Sequence, residues 1–204
     1  MRLADLTPTD VGRAATDAVL ARLSRLALPL SPGIALHVGP AQGDTDLGLT
    51  VASLCAWAQR GELGDWTDHE DAADALLTAT EVLYRAPLGD AWDAAVAAAC
   101  AEDGPADTDP VALVLAAAWS RLKVMREPSA PAQTTTDKER AEVQRDHAVT
   151  VAELARLASL SVQRVRQLAP TSGLKVTVVR AGVPARVEAA EARRWLAARG
   201  LGGY

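Results

Sequence analysis

Apolar residues return along most of the chain at helical intervals. Val11, Ala15, Val19, Leu23 and Leu26 step by three and four, which predicts a helix over about Thr9–Leu26 with Thr7 or Thr9 as cap. A second helix is expected from about Asp46 to Arg60, stopped by Gly61. The sequence TDHE at 67–70 reads as a capping box of Thr67 and Glu70. It opens a third helix with the stripe Ala73, Leu76, Leu77, Thr80, Leu83 and Tyr84, ended by Pro87. An alanine-rich segment from about Asp90 to Ala101 predicts a fourth, and Asp109–Pro110 predicts the start of a fifth that reaches about Met125.

The pattern changes after residue 126. EPSAPAQTTTD at 127–137 has the composition of a linker, and DKERAEVQRD at 137–146 is either a solvated helix capped by Thr136 with Glu139 or more linker. Thr150 and Glu153 then form a capping box. A short helix follows with Leu154, Leu157 and Ala158 inward, then the turn ASLS with Leu160 inward. Ser161 is placed to cap a second short helix whose Val165 and Leu168 face the core. That leaves Val162, Gln163, Arg164, Arg166 and Gln167 outward, with Pro170 and Gly173 closing the helix. LKVTVVR at 174–180 and VPARV at 183–187 read as two strands of a β-hairpin around Ala181–Gly182, with Pro184 tolerable only at an edge. A terminal helix over 188–200 carries Ala189, Ala192, Trp195 and Leu196 on its apolar side and ends at Gly200.

The expected fold class is therefore mainly α. An N-terminal domain of about five helices (1–126) precedes a linker (127–148) and a small C-terminal unit (149–204). In the C-terminal unit, helix, turn, helix, two-stranded wing and helix follow in that order, and ELARLASLSVQRVRQL, GLKVTVVRAGVPARV and EARRWLAARG resemble the winged helix-turn-helix of the MerR and excisionase superfamily. A similar module occurs in some phage terminase small subunits. The resemblance covers about residues 149–200. Ser159 stands where many such sequences carry Gly, a residue freer to adopt a left-handed turn. The resemblance implies that the second helix enters the DNA major groove.

Charge sharpens this expectation. The chain is acidic overall, at −5, but residues 148–204 hold nine Arg/Lys and three Glu, a net +6, against −11 for residues 1–147. A basic end on an acidic body points to nucleic acid at the basic end. The candidate DNA-binding residues are Ser161, Gln163, Arg164, Arg166, Gln167, Lys175, Arg180 and Arg186, with Arg193, Arg194 and Arg199 adding charge. Glutamine and arginine can pair with base edges in two-bond fashion, and the arginines beside the wing turn are placed for phosphate or the minor groove. If five or six of the cations met phosphate, the salt slope of log K would be roughly −5.

Other chemistry finds little support. Cys55 and Cys100 lie in Ala/Leu/Val-rich stretches as small buried hydrophobes, without metal-ligand spacing. Asp65, Asp68, Glu70, Asp71 and Asp74 surround His69, but at a helix N-terminus such acids serve the helix dipole and its free N–H groups. Trp57, Trp66, Trp92 and Trp119 read as core or helix staples. The loop LPLSPGIALHVGPAQGDTD lacks the Gly-Lys-Ser/Thr ending of a phosphate loop. No enzyme activity, metal or cofactor is expected. No apolar run reaches membrane-spanning length, and MRLADLTPTD lacks the basic start and apolar core of a signal peptide, so the expected location is cytoplasmic.

These features predict a sequence-specific double-stranded-DNA-binding protein, acting as a homodimer in transcriptional control or mobile-element biology. Its N-terminal domain would dimerise or hold a protein partner, and the linker would let the heads adjust. The alternative is an assembly or interaction protein, such as a phage terminase small subunit or an antitoxin-like partner.

Overall fold

The computed structural model describes residues 2–27, 46–80, 82–83, 109–125, 148–178 and 184–201. Among them the chain forms a 3₁₀ turn at Leu3–Asp5 and the helices α1 (Pro8–Ala27), α2 (Asp46–Arg60), α3 (His69–Thr80) and α4 (Pro110–Met125). These are followed by β1 (Ala148–Thr150), α5 (Val151–Leu157), α6 (Val162–Ser172), β2 (Arg186–Glu188) and α7 (Ala189–Ala197). The fold is mainly helical with one small two-stranded antiparallel sheet. The helix expected over 90–101 and the segment 137–146 lie outside the described residues.

The helix starts follow from local chemistry. Thr7 Oγ1 accepts from the Asp10 N–H (3.2 Å), and Pro8 takes the first helical position of α1, where no N–H is required. Asp109 Oδ1 accepts from the Val111 N–H (2.9 Å) at the head of α4. At α3 the expected box is replaced. Asp68 Oδ1 accepts from the N–H groups of Glu70 (2.8 Å) and Asp71 (3.0 Å), while Thr67 donates its N–H and hydroxyl to Asp71. A carboxylate one residue later outcompetes the threonine hydroxyl, because it reaches two amides at once and carries full charge at the positive helix end.

The inward face of α3 also differs from the expected stripe. Ala72, Leu76, Ala79 and Thr80 are buried, whereas Leu77 is 45% exposed. The small residues at 72 and 79 let α3 approach α2 and α4, against which it packs. A similar choice brings α1 onto α2. A Cβ at Gly12 would sit 2.7 Å from the Gly48 carbonyl oxygen and 3.2 Å from Ala52 Cβ, so only glycine permits this crossing.

Among the described elements α4 is the most central. Val111 to Ala118 are buried without interruption, as are Ser120, Arg121, Val124 and Met125. Its one side meets α1, α2 and α3, and the other meets β1, α5 and α7. Val51, Leu54, Trp57, Leu115, Leu154, Val165, Val187 and Leu196 accordingly belong to one continuous buried cluster. Polar contacts reinforce the join between the two halves. Arg156 Nη1 donates to Ser120 Oγ (3.2 Å), and Arg193 donates from Nε (3.2 Å) and Nη2 (3.1 Å) to the Val124 carbonyl.

The two-stranded sheet joins the 186–188 strand to a segment other than the expected 174–180 partner. β1 pairs with β2 in the register Ala148↔Glu188, Val149↔Val187 and Thr150↔Arg186. From the 174–180 segment only Thr177 pairs, through two hydrogen bonds with Arg186 (2.8 and 3.0 Å), among the described residues. Arg186 thus lies between Thr150 and Thr177. The pairing partner of the 186–188 strand is a segment almost forty residues upstream, which the sequence places at the end of a linker. Val149 and Val187 face each other in the core and fix the register.

Candidate nucleic-acid interface

The candidate interface is built on α5, α6 and the turn between them. The expected capping box at α5 is present: Thr150 Oγ1 accepts from the Glu153 N–H (3.1 Å), and Glu153 Oε2 accepts from the Thr150 N–H (2.7 Å). Leu154, Ala155, Leu157 and Ala158 are buried. The chain then reverses at Ser159, whose φ of +53° is left-handed. This is the conformation glycine would adopt most cheaply. The serine hydroxyl gives something in exchange, since its oxygen accepts from the Ala4 N–H (2.9 Å) and ties the turn to the 3₁₀ segment. The Leu160 N–H closes the turn on the Ala155 carbonyl (2.9 Å).

Ser161 caps α6, its oxygen accepting from the Arg164 N–H (3.1 Å). Val165 and Ala169 form the buried side, with Leu168 half-buried. Val162, expected outward, is instead half-buried against the core. Gln163, Arg164, Arg166 and Gln167 are all exposed, and Arg164 Nη1 donates to Gln167 Oε1 (3.4 Å). Pro170 does not close α6, which runs on to Ser172 before Gly173 ends it in the left-handed region. The Thr171 and Ser172 hydroxyls donate back to the Leu168 carbonyl (3.0 and 2.8 Å), and Ser172 Oγ also accepts from Trp195 Nε1 (2.9 Å). The final turn is therefore held from outside the helix, which offsets the break a proline introduces.

The remaining candidates divide. Lys175 is exposed, and its backbone N–H donates to Glu191 Oε1 (2.7 Å). Arg186 is half-buried in the sheet. Arg180 lies outside the described residues. Three of the cations counted toward the basic end serve the interior or its edge. Arg156 and Arg193 brace the join to α4, and Arg199 lies 3.6 Å above the Trp195 ring. The exposed cations of this half, among the described residues, are Arg164, Arg166, Lys175 and Arg194. Four phosphate contacts correspond to a salt slope of roughly −3.6, shallower than the charge count alone implies.

The interface is anchored to the body by an ion pair that the sequence does not announce. Lys123 Nζ on α4 lies 2.5 Å from Glu153 Oε1 on α5, with the carboxylate side chain only 15% exposed. Burial pushes the Glu153 carboxyl up, but the Lys123 hydrogen bond and charge, with the Thr150 N–H and hydroxyl, hold it below its ordinary 4.5. The folded state thus favours the carboxylate. Its contribution is complete above the unfolded-state pKa and is lost as pH falls through the lower folded value. Urea midpoints measured from neutral pH down to about pH 3 should fall more steeply for the wild type than for Glu153→Gln. Parallel curves would show that this pair does not hold the join.

The other titratable groups lie elsewhere. Burial raises the Cys55 thiol to about 11, which keeps it protonated and inert, as expected of a buried hydrophobe. Cys100 and Trp92 lie outside the described residues. Trp57 is fully buried and meets Trp66 edge-on at 6.3 Å, with the His69 ring 6.1 Å away. Burial lowers the His69 pKa, with Asp68 opposing and the Arg193 and Arg121 charges reinforcing the shift. Among the described residues no group of three or more His, Cys, Asp or Glu side chains is placed to hold a metal ion, and no helix is long and apolar enough to cross a membrane. Comparison with family models, curated proteins and solved structures finds no match to this chain.

Proposed function

We propose that this chain is a sequence-specific double-stranded-DNA-binding protein in which α5 and α6 act as a helix-turn-helix. α6 is the reading helix, and the segment from Lys175 to Arg186 is the wing. The observation that carries the reading is the two-sided character of α6. Its inner side is fixed by Val165, Ala169 and the Ser172–Trp195 hydrogen bond, while its outer side offers only Gln163, Arg164, Arg166 and Gln167 between the Ser161 cap and Pro170. A rigid helix presenting amide and guanidinium groups at the edge of a molecule is suited to a groove lined with acceptors.

A single module of this size covers few base pairs, so the active form is a homodimer, with half-sites about one DNA turn apart. The acidic body supplies the dimer contact or a partner site. Because α4 carries α5 and α7 directly, the body sets the positions of the heads. The protein acts on transcription or on the movement of a genetic element. Gel shifts against genomic fragments test the reading. The Arg164→Ala/Arg166→Ala double variant should bind roughly tenfold or more weakly at moderate salt, since two lost phosphate contacts reduce the salt slope by about two. Equal binding by wild type and double variant would remove α6 from the interface.

A further inference from the structure

The four outward side chains of α6 do not share one direction, and the difference assigns them different work. With about 100° per residue, Gln163 and Gln167 point about 160° and 200° around the axis from the buried Val165, so both lie within about 20° of straight outward. Arg164 and Arg166 lie about 100° from Val165 on opposite sides, along the two flanks of the helix. An α-helix with side chains is about 10–12 Å across, and the major groove is about 12 Å wide. A helix lying in that groove therefore turns its outermost line to the base edges and its flanks to the sugar–phosphate walls.

Given the DNA-reading role proposed above, on which this rests, we infer that Gln163 and Gln167 are the base-reading pair and select adenine, while Arg164 and Arg166 clamp the phosphates on either side. The chemistry follows from the amide. Its oxygen accepts from the adenine N6 amino group and its nitrogen donates to N7, a pairing that the other bases do not offer in that order. The two glutamines are four residues apart, about 6 Å along the helix, or about two base-pair steps of 3.4 Å. Each half-site then contains two A·T pairs within two steps of each other. The contact between Arg164 Nη1 and Gln167 Oε1 engages one side of that amide oxygen and helps fix the orientation of the group. Arg164 is in that respect also a positioning residue for Gln167.

Selection of bound duplexes from a random pool, with the full chain and its variants, tests the assignment. The wild type should return adenine at two positions, no more than two steps apart, in each half-site. Gln163→Ala and Gln167→Ala should each erase the preference at one of them, a loss of roughly 5- to 150-fold in discrimination, and leave the salt slope unchanged. Arg164→Ala should keep the adenine at the Gln163 position and reduce the salt slope by about one, with some broadening at the Gln167 position. All four side chains are exposed, so the variants should melt with the wild type, and matching melting temperatures tie any change to recognition. A consensus of guanines that vanishes in the arginine variants and survives in the glutamine variants would overturn the assignment and leave the DNA-reading role intact. A wild type that selects no sequence would remove both.

Discussion

Trp195→Ala should lower the stability of the chain by about 3–5 kcal/mol, the range for removing a buried tryptophan from a core. Trp195 is 5% exposed on α7, and three different interactions converge on it. Its ring belongs to the core cluster, its Nε1 donates to Ser172 Oγ at the end of α6, and its outer face carries the Arg199 guanidinium at 3.6 Å. Truncation removes the packing, leaves the Ser172 hydroxyl without its donor and ends the cation–π contact, worth about 0.5–1 kcal/mol at a partly exposed site. Because α7 packs on both α4 and β2, no neighbour can close the space without moving the sheet. Trp195→Phe should recover most of the packing and still lose about 1 kcal/mol for the hydrogen bond. Denaturant unfolding of the three proteins gives both differences. DNA affinity measured well below the melting transition should fall in the alanine variant as well, since the last turn of α6 loses its external support. A stability loss of under about 1 kcal/mol for Trp195→Ala would show that the tryptophan is not the keystone of this half.

Arg121→Ala should cost about 3 kcal/mol, for a different reason. Arg121 is fully buried on α4, and its Nη2 donates to the carbonyls of Ala58 (3.0 Å) and Gln59 (3.3 Å). Those carbonyls belong to the last turn of α2, where the helix leaves its acceptors unsatisfied and its dipole is negative. The guanidinium thus caps α2 from a neighbouring helix. Alanine leaves a cavity the length of the arginine stem and exposes buried acceptors with no donor. Arg121→Met fills the cavity and removes the buried charge, so it should recover a substantial part of the loss. Thermal and urea unfolding would measure this, and an equal cost for Met and Ala would assign the whole effect to the lost donors.

Where a single side chain decides a boundary, the sequence is easily read. Asp109–Pro110, Thr150 with Glu153, Ser161 and Gly173 each act on backbone groups within a few residues, and the helix ends fall at those positions. The apolar side of α7 (Ala189, Ala192, Trp195 and Leu196) was equally plain, because a tryptophan among alanines leaves one face to choose. Contacts between distant segments were not legible. Ala73-Leu76-Leu77-Thr80 and Ala72-Leu76-Ala79-Thr80 both step at helical spacing, and packing against α2 and α4 selects the second. β1 is three residues long and alternates too briefly to announce itself, and its partner is set by Val149 meeting Val187 across the core. The charge count failed to separate surface from interior. Arg156 and Arg193 look like Arg164 in a sequence, yet they hold the C-terminal half to α4. The outward side of α6 was legible except for Val162, since period and polarity agree there.

The apolar run of α4 also bears on synthesis. Its surface from Val111 to Met125 is covered on one side by α5 and α7, which leave the ribosome only after some thirty to seventy further residues have been made. At roughly 5–20 residues per second, that surface stays uncovered for several seconds in every nascent chain. During that interval the growing protein offers a ready docking face to chaperones, and to other unfinished copies of itself on the same message.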